Sequence, residues 1–326
     1  MRDRSRPRVL VTGAGGVVGH ALCDALAECG AELSAIRSRS DCNLEDLAET
    51  RAVFSFVRPE EVYHLAGAVF GVGGNLAFPG EAFFRNVAIN TNVVEAARLA
   101  GARKIVAMGS TAMYGDGAPL PMREEDATSG RPHGSEEAYG FAKRALLVQL
   151  ESYERQYGLD YGFAIATNMY GPHDRFDPQY GHVIPSLVHK FVAAAGTETE
   201  VEIWGDGSPT RDFLYAEDAA RGVMLLMRSG RGAYNLATNE TRTIRDLVGI
   251  LQRLFPDVRV RWDATKPLGQ LRRAYDISRI GALGFRPACS LEEGLARTVE
   301  WYRENRASTR ARSMPAAAPA AASALR

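Results

Sequence analysis

Lysine is almost missing from this chain. Lys104, Lys143, Lys190 and Lys266 are the only four in 326 residues, so nearly all of the 39 basic side chains are arginines. The acidic total is also 39, and the formal net charge is zero. No global field draws such a protein to nucleic acid or to an anionic membrane, although a small anionic ligand needs only two or three well-placed cations. Long apolar runs are missing too. Val9-Leu10-Val11 stops at a glycine loop, too short for a signal-peptide core, and no run approaches a membrane span. Cysteine is sparse. Cys23, Cys29, Cys42 and Cys289 form no C-x-x-C, which reads as thiols in a reducing cytoplasm. The histidines show no metal-ligand spacing, and no metal is expected.

What remains is an alternation of short apolar strands and helices. Strands are expected at 8–12, 32–36, 62–66, 104–110 and 161–167, with helices near 17–29, 45–57, 85–100 and 138–157. The β-α-β order implies a parallel sheet covered by helices on both faces, an α/β fold of the Rossmann doubly wound type. After Gly171 prolines and glycines break the rhythm. Helices are expected at 183–195, 243–255 and 291–305, with a strand at 201–204; a helix at 216–229 and a strand at 233–237 return to the first sheet. This gives a nucleotide-binding domain over 8–171 with return segment 213–237, and a smaller substrate lobe from 172–212 and 238–305. Residues 1–7 read as a disordered leader and 306–326 as a low-complexity tail. A cleft between lobes, at the carboxyl ends of the strands, is the expected ligand site.

Gly13, Gly16 and Gly19 are spaced G-x-x-G-x-x-G between the first strand and the first helix. Glycines there permit a tight turn, close approach of a pyrophosphate and close helix–strand packing. The helix start at Val17 and Val18 supplies N–H groups and partial positive charge to phosphates. Leu65 and Ala66, ending the third strand, border the same crevice. An NAD site usually carries Asp or Glu at the end of the second strand, and this chain has Arg37-Ser38-Arg39 there. A guanidinium can bind a 2′-phosphate bidentately, so the expected cofactor is NADP(H); the plainer alternative is a set of solvated loop arginines.

Ser110 and Thr111 end a buried strand, and Tyr139-x-x-x-Lys143 follows about 30 residues later. On a helix Tyr139 and Lys143 share a face. An ammonium about 4 Å from a phenol, at an effective dielectric of about 20, favours the phenolate by roughly 4 kcal/mol, or about three pKa units. Lys143 is therefore expected to bring Tyr139 toward working pH as an acid–base group.

These motifs, TGxxGxxG, Ser110 and Tyr139-x-x-x-Lys143, resemble those of the extended short-chain dehydrogenase/reductases, which mostly act on nucleotide sugars. The likeness covers about residues 8–305. Within that group the stretches at 35–44, 69–79, 166–191, 201–220 and 266–278 are most similar to the GDP-fucose synthase family, NADPH-dependent epimerase/reductases of GDP-4-keto-6-deoxymannose. The resemblance implies that Ser110 and Tyr139 hydrogen-bond the reacting oxygen and that Lys143 also holds the nicotinamide ribose. It implies substrate contacts for Thr111, Asn168, His182, Lys190, Trp204, Arg211 and Lys266, with Lys190 and Arg211 facing the diphosphate. It also implies a homodimer through the helices near 85–100 and 138–157.

One feature departs from that pattern. The family epimerises with a cysteine two residues after the serine and a histidine matching His182; here Ala112 replaces the cysteine. Epimerisation beside a ketone needs a base on one face and an acid on the other, and alanine is neither. Ketone reduction needs one hydride, one proton and a hydrogen bond to oxygen, none of which calls on position 112. The expectation is a reductase of a nucleotide-activated 4-keto-6-deoxy sugar without 3,5-epimerase activity. Three alternatives stay open: a bifunctional epimerase/reductase, an NAD-dependent nucleotide-sugar 4-epimerase, and a non-catalytic NADP-binding regulator.

Overall fold

The computed structural model describes residues 6–69, 71–178, 181–265, 271–307 and 309. Strands in chain order are β1 (Arg8–Thr12), β2 (Glu32–Ile36), β3 (Glu61–His64), β4 (Lys104–Met108), β5 (Asp160–Ala166), β6 (Asn168–Tyr170), β7 (Val201–Trp204), β8 (Thr210–Arg211), β9 (Phe213–Tyr215), β10 (Gly232–Leu236), β11 (Arg242–Thr243) and β12 (Val260–Asp263). Helices are α1 (Val17–Glu28), α2 (Leu47–Val57), α3 (Gly71–Ala77), α4 (Pro79–Leu99), α5 (Glu137–Tyr157), α6 (Val183–Ala194), α7 (Ala216–Ser229), α8 (Ile244–Leu254), α9 (Ser278–Ala282) and α10 (Leu291–Asn305).

Six strands form one parallel sheet in the order β2-β1-β3-β4-β5-β10. Alternate residues of each strand enter opposite cores, because side chains on a strand point to opposite faces. Ile105 and Ala107 of β4 join the core with α2, α4 and α5. Val106 and Met108 join the core with α1 and α7. Both faces are thus dry, which is why β4 reads as a continuous apolar run. A third core gathers Phe191 of α6, Ile203 of β7, Leu251 of α8 and Leu295 of α10.

The chain reverses direction across the sheet between β1 and β3, since β2 lies on one side of β1 and β3 on the other. Such a switch point leaves a crevice outside the strands' carboxyl ends. The glycine loop and residues 65–68 border it.

Helix starts follow local chemistry. Asp46 caps α2 by accepting from Glu49 N at 3.0 Å, and Thr243 and Asp246 form a reciprocal capping box on α8, each satisfying an orphan amide. Two short helices, α3 and α9, and the small pairs β6–β9, β8–β11 and β7–β12 were not anticipated. The helix expected at 85–100 starts earlier, at Pro79, because proline suits a first helical position.

The third core depends on its aromatic filling. Phe191 is fully buried there, so Phe191→Ala is expected to destabilise the protein by about 3–5 kcal/mol. The check is a lower urea midpoint at unchanged m-value.

Candidate active site

The glycine loop is built so that backbone, not side chain, lines the crevice. Gly13 has φ +74°, and a Cβ there would lie 2.6 Å from Ala66 N. At Gly19 it would lie 2.2 Å from Gly13 O, and at Gly15 2.4 Å from Arg37 O. Gly16 has more room, its nearest contact being 3.3 Å; its amide instead closes the turn onto Gly13 O at 3.0 Å. Val17 opens α1, whose first turn carries no acidic residue, and Val18 is buried behind it. A phosphate placed there meets free amides and no opposing charge. Leu65 N donates to Thr12 O at 3.0 Å, which ties the end of β3 to the end of β1.

At the end of β2 the Arg37 side chain is exposed and, among the described residues, in no ion pair. Arg39 lies 3.7 Å from Glu45, which also binds Arg85 at 2.8 Å. Asp41 comes back to this strand end: its carboxylate accepts from Arg37 N (2.8 Å), Ser38 N (2.9 Å) and Ser38 Oγ (3.3 Å). Those amides hold Asp41 below the usual carboxylate range. Sequence reading missed Gly15 and Asp41, because their contacts fold back onto the loop itself.

Beyond β4, Ser110 starts a single helical turn, Thr111–Met113, and its Oγ accepts from Ala112 N at 3.1 Å. Tyr139 and Lys143 lie on α5, four residues apart. Burial raises the Tyr139 phenol above its ordinary range, the Glu136 charge adds to the rise, and the Ser110 hydroxyl opposes it. This corrects the expectation that Lys143 brings the phenol toward neutrality. The Lys143 Nζ lies on the ring face, 5.7 Å from the centroid, and donates to Met108 O at 2.7 Å. Its charge is spent on a carbonyl rather than on the phenol oxygen. Burial in turn pulls Lys143 down to about 8.

The same lysine reaches the crevice: a Cβ on Gly67 would sit 3.7 Å from its Nζ and 3.1 Å from Asn86 Oδ1. Asn86 fixes this loop, accepting from Ala68 N at 3.0 Å and donating to Ala68 O at 2.9 Å. His64 lies beneath, bonded to Thr12 Oγ1 (2.8 Å) and Asn90 Oδ1 (3.0 Å). Burial and the nearby Lys143 charge push it down to about 3, so it stays neutral. Neither asparagine carries a sequence motif of its own.

The segment between β12 and α9 adds Arg273, which sequence reading passed over in favour of Lys266. Lys266 lies outside the described residues. Arg273 Nη1 donates to Thr111 Oγ1 at 3.3 Å and Nη2 to Glu136 at 2.6 Å. Arg211 is close enough that the Arg273 charge, after burial itself, lowers its ionisation; it donates to Thr210 O at 2.8 Å. The structure thus brings Thr111, Arg211, Arg273 and Glu136 beside Ser110 and Tyr139. Asn168 is engaged with Asp212 O at 3.1 Å, and Lys190 with Glu202 O at 3.1 Å. Trp204 stands 60% exposed at the end of β7, unlike a core tryptophan. His182 is exposed at the start of α6 and makes no side-chain cap bond. His20 of α1 stacks on His173 (centroids 3.7 Å), which packs on Trp301 of α10 (4.5 Å).

The sequence model of the NAD dependent epimerase/dehydratase family matches residues 9–237. The GDP-L-fucose synthase of Escherichia coli (strain K12) is 34% identical over 314 residues, covering 92% of this chain and 98% of its own length. A probable GDP-L-fucose synthase 1 of Oryza sativa subsp. japonica is 35% identical over 303 residues, covering 91% and 92%. Among solved structures, a GDP-L-fucose synthetase from Naegleria fowleri bound to NADP superposes with a TM-score of 0.85 at 28% identity, covering 92% of this chain and 95% of that one.

Two outcomes follow from this geometry. Gly19→Ala drives a methyl into the Gly13 carbonyl, so NADPH binding is expected to weaken at least about tenfold, read by quenching of protein fluorescence. Lys143, lowered to about 8 from 10.5, binds fewer protons folded than unfolded between those values. Stability then rises with pH across that window. Melting temperatures of the wild type are expected to gain on those of Lys143→Met from about pH 8 to 10.5, and to run parallel below pH 7.

Proposed function

Because the chain belongs to the NAD dependent epimerase/dehydratase family, we propose that it is an NADPH-dependent reductase of a GDP-linked 4-keto-6-deoxy sugar that does not epimerise carbons 3 and 5. The observation that carries this reading is the Ser110 hydroxyl acting on the Tyr139 phenol, with alanine at position 112. The relatives' names support GDP as the nucleotide, and the NADP-bound neighbour supports the cofactor.

NADPH fits the crevice. Gly13, Gly16, Gly19 and the amides at Val17 and Val18 would take the pyrophosphate. Arg37, with Ser38 and Arg39, would take the 2′-phosphate, and Leu65, Ala66 and Lys143 would border the nicotinamide end. When bound, the cofactor supplies a hydride to the ketone carbon. The chain's own residues do the rest. Ser110 donates a hydrogen bond to the carbonyl oxygen, and the Tyr139 phenol gives that oxygen its proton, leaving an alcohol. Burial keeps the phenol protonated, which suits a donor. As negative charge develops on the phenol oxygen, Ser110 is the group placed to stabilise it. Arg211 and Lys190 would face the diphosphate, with Thr111, Asn168, His182 and Trp204 along the rest of the substrate. With no titratable side chain at 112, His182 alone cannot take a proton from one face of a carbon and return one to the other.

The test supplies NADPH and GDP-4-keto-6-deoxymannose in heavy water and follows absorbance and product NMR. NADPH is expected to be consumed without deuterium entering at carbons 3 and 5. Deuterium at those carbons would restore the bifunctional reading. Tyr139→Phe is expected to lose roughly 10²-fold or more in kcat, and full activity of that variant would remove the phenol from the reaction.

A further inference from the structure

Ser110 and Tyr139 come from different elements, and their spacing at the reacting oxygen must be fixed by other contacts. Two features of α5 supply them. Gly140 follows Tyr139, and a Cβ there would lie 2.5 Å from Ala112 O. The serine turn is therefore docked directly on the helix backbone. Arg144 follows Lys143 and is 8% exposed. Its guanidinium donates to three backbone carbonyls: Nε to Met113 O at 2.7 Å, Nη1 to Gly130 O at 2.6 Å, and Nη2 to Ser129 O at 2.8 Å.

Met113 is the far end of the turn that Ser110 begins. Met113 N donates to Ser110 O at 3.1 Å, so a pull on the Met113 carbonyl turns the serine. Residues 129–130 lie against the same turn, because Gly115 bridges Pro132 and Asp116 N donates to Arg131 O at 2.7 Å. A planar fork can hold three carbonyls at once; an ammonium cannot reproduce that geometry.

We propose that Arg144 is a positioning residue for the reduction, fixing through Met113 the spacing between the Ser110 and Tyr139 hydroxyls. The idea rests on the reductase reading given above. It assigns Arg144 no contact with substrate. Its consequence is confined to the chemical step: displacement of the serine by about 1 Å costs on the order of 10²-fold in rate, while nucleotide and sugar contacts elsewhere persist.

The test compares wild type, Arg144→Met, Arg144→Lys and Gly140→Ala with NADPH and GDP-4-keto-6-deoxymannose. Turnover is expressed per NADPH-binding site, so that loss of folded protein does not count as loss of rate. Arg144→Met is expected to lose about 10²-fold in kcat per site, with KM and NADPH Kd within about threefold of wild type and a larger solvent deuterium effect on kcat. Arg144→Lys is expected to lose about tenfold, and Gly140→Ala to show the same pattern as Arg144→Met by displacing the turn from the other side. If Arg144→Met does not fold, the other two variants decide. Turnover per site within threefold of wild type in the folded variants overturns the proposal, as does a loss confined to KM. Tyr139→Phe separates this from the underlying reading: an active phenylalanine variant sinks the reductase mechanism, whereas an inactive one beside unaffected Arg144 variants sinks only the positioning role.

Discussion

A buried ammonium at the carboxyl end of β4 governs the centre of this protein. Lys143 is 2% exposed and spends one donor on the Met108 carbonyl at 2.7 Å. Desolvating a cation is costly unless its surroundings compensate, and the surroundings here are arranged for that. His64, which would otherwise compete as a second positive charge, is kept neutral with both ring nitrogens bonded. Asn86 ties down the neighbouring loop so that Gly67 can lie against the amine. The polar layer from Thr12 through His64 to Asn90 and the crevice above it thus share one electrostatic requirement.

That requirement also explains where reading the sequence succeeded and where it failed. The parallel sheet, the glycine loop and the Ser–Tyr–Lys set were legible because each is local: an apolar run, a glycine spacing, a one-turn offset on a helix. The phenol's acidity was not. Spacing places Lys143 on the same face as Tyr139, but it cannot say that a strand-end carbonyl captures the amine first. Arg273 escaped for another reason. Its partner Thr111 is 162 positions away, and no periodicity reports such a contact. Asp41 was overlooked because a carboxylate was sought at the end of β2, whereas this one lies farther along and folds back.

Side chains distant in sequence meet around the crevice. Arg273, in the segment between β12 and α9, reaches Thr111 and Glu136 at the start of α5. His20, His173 and Trp301 form a chain of ring contacts from the helix behind the glycine loop to α10, the first stacked and the second tilted. Both links touch elements that border the crevice, so charged and aromatic contacts help to set the placement of α1, α5 and α10 around it.

The scarcity of lysine acquires meaning once burial is known. Of the three within the described residues, Lys143 and Lys104 are buried and Lys190 is half-buried against a backbone oxygen. The exterior's positive charge is therefore carried overwhelmingly by guanidinium groups, which do not give up their protons in water. Reagents that acylate primary amines find few targets on such a coat, and alkali neutralises little of it.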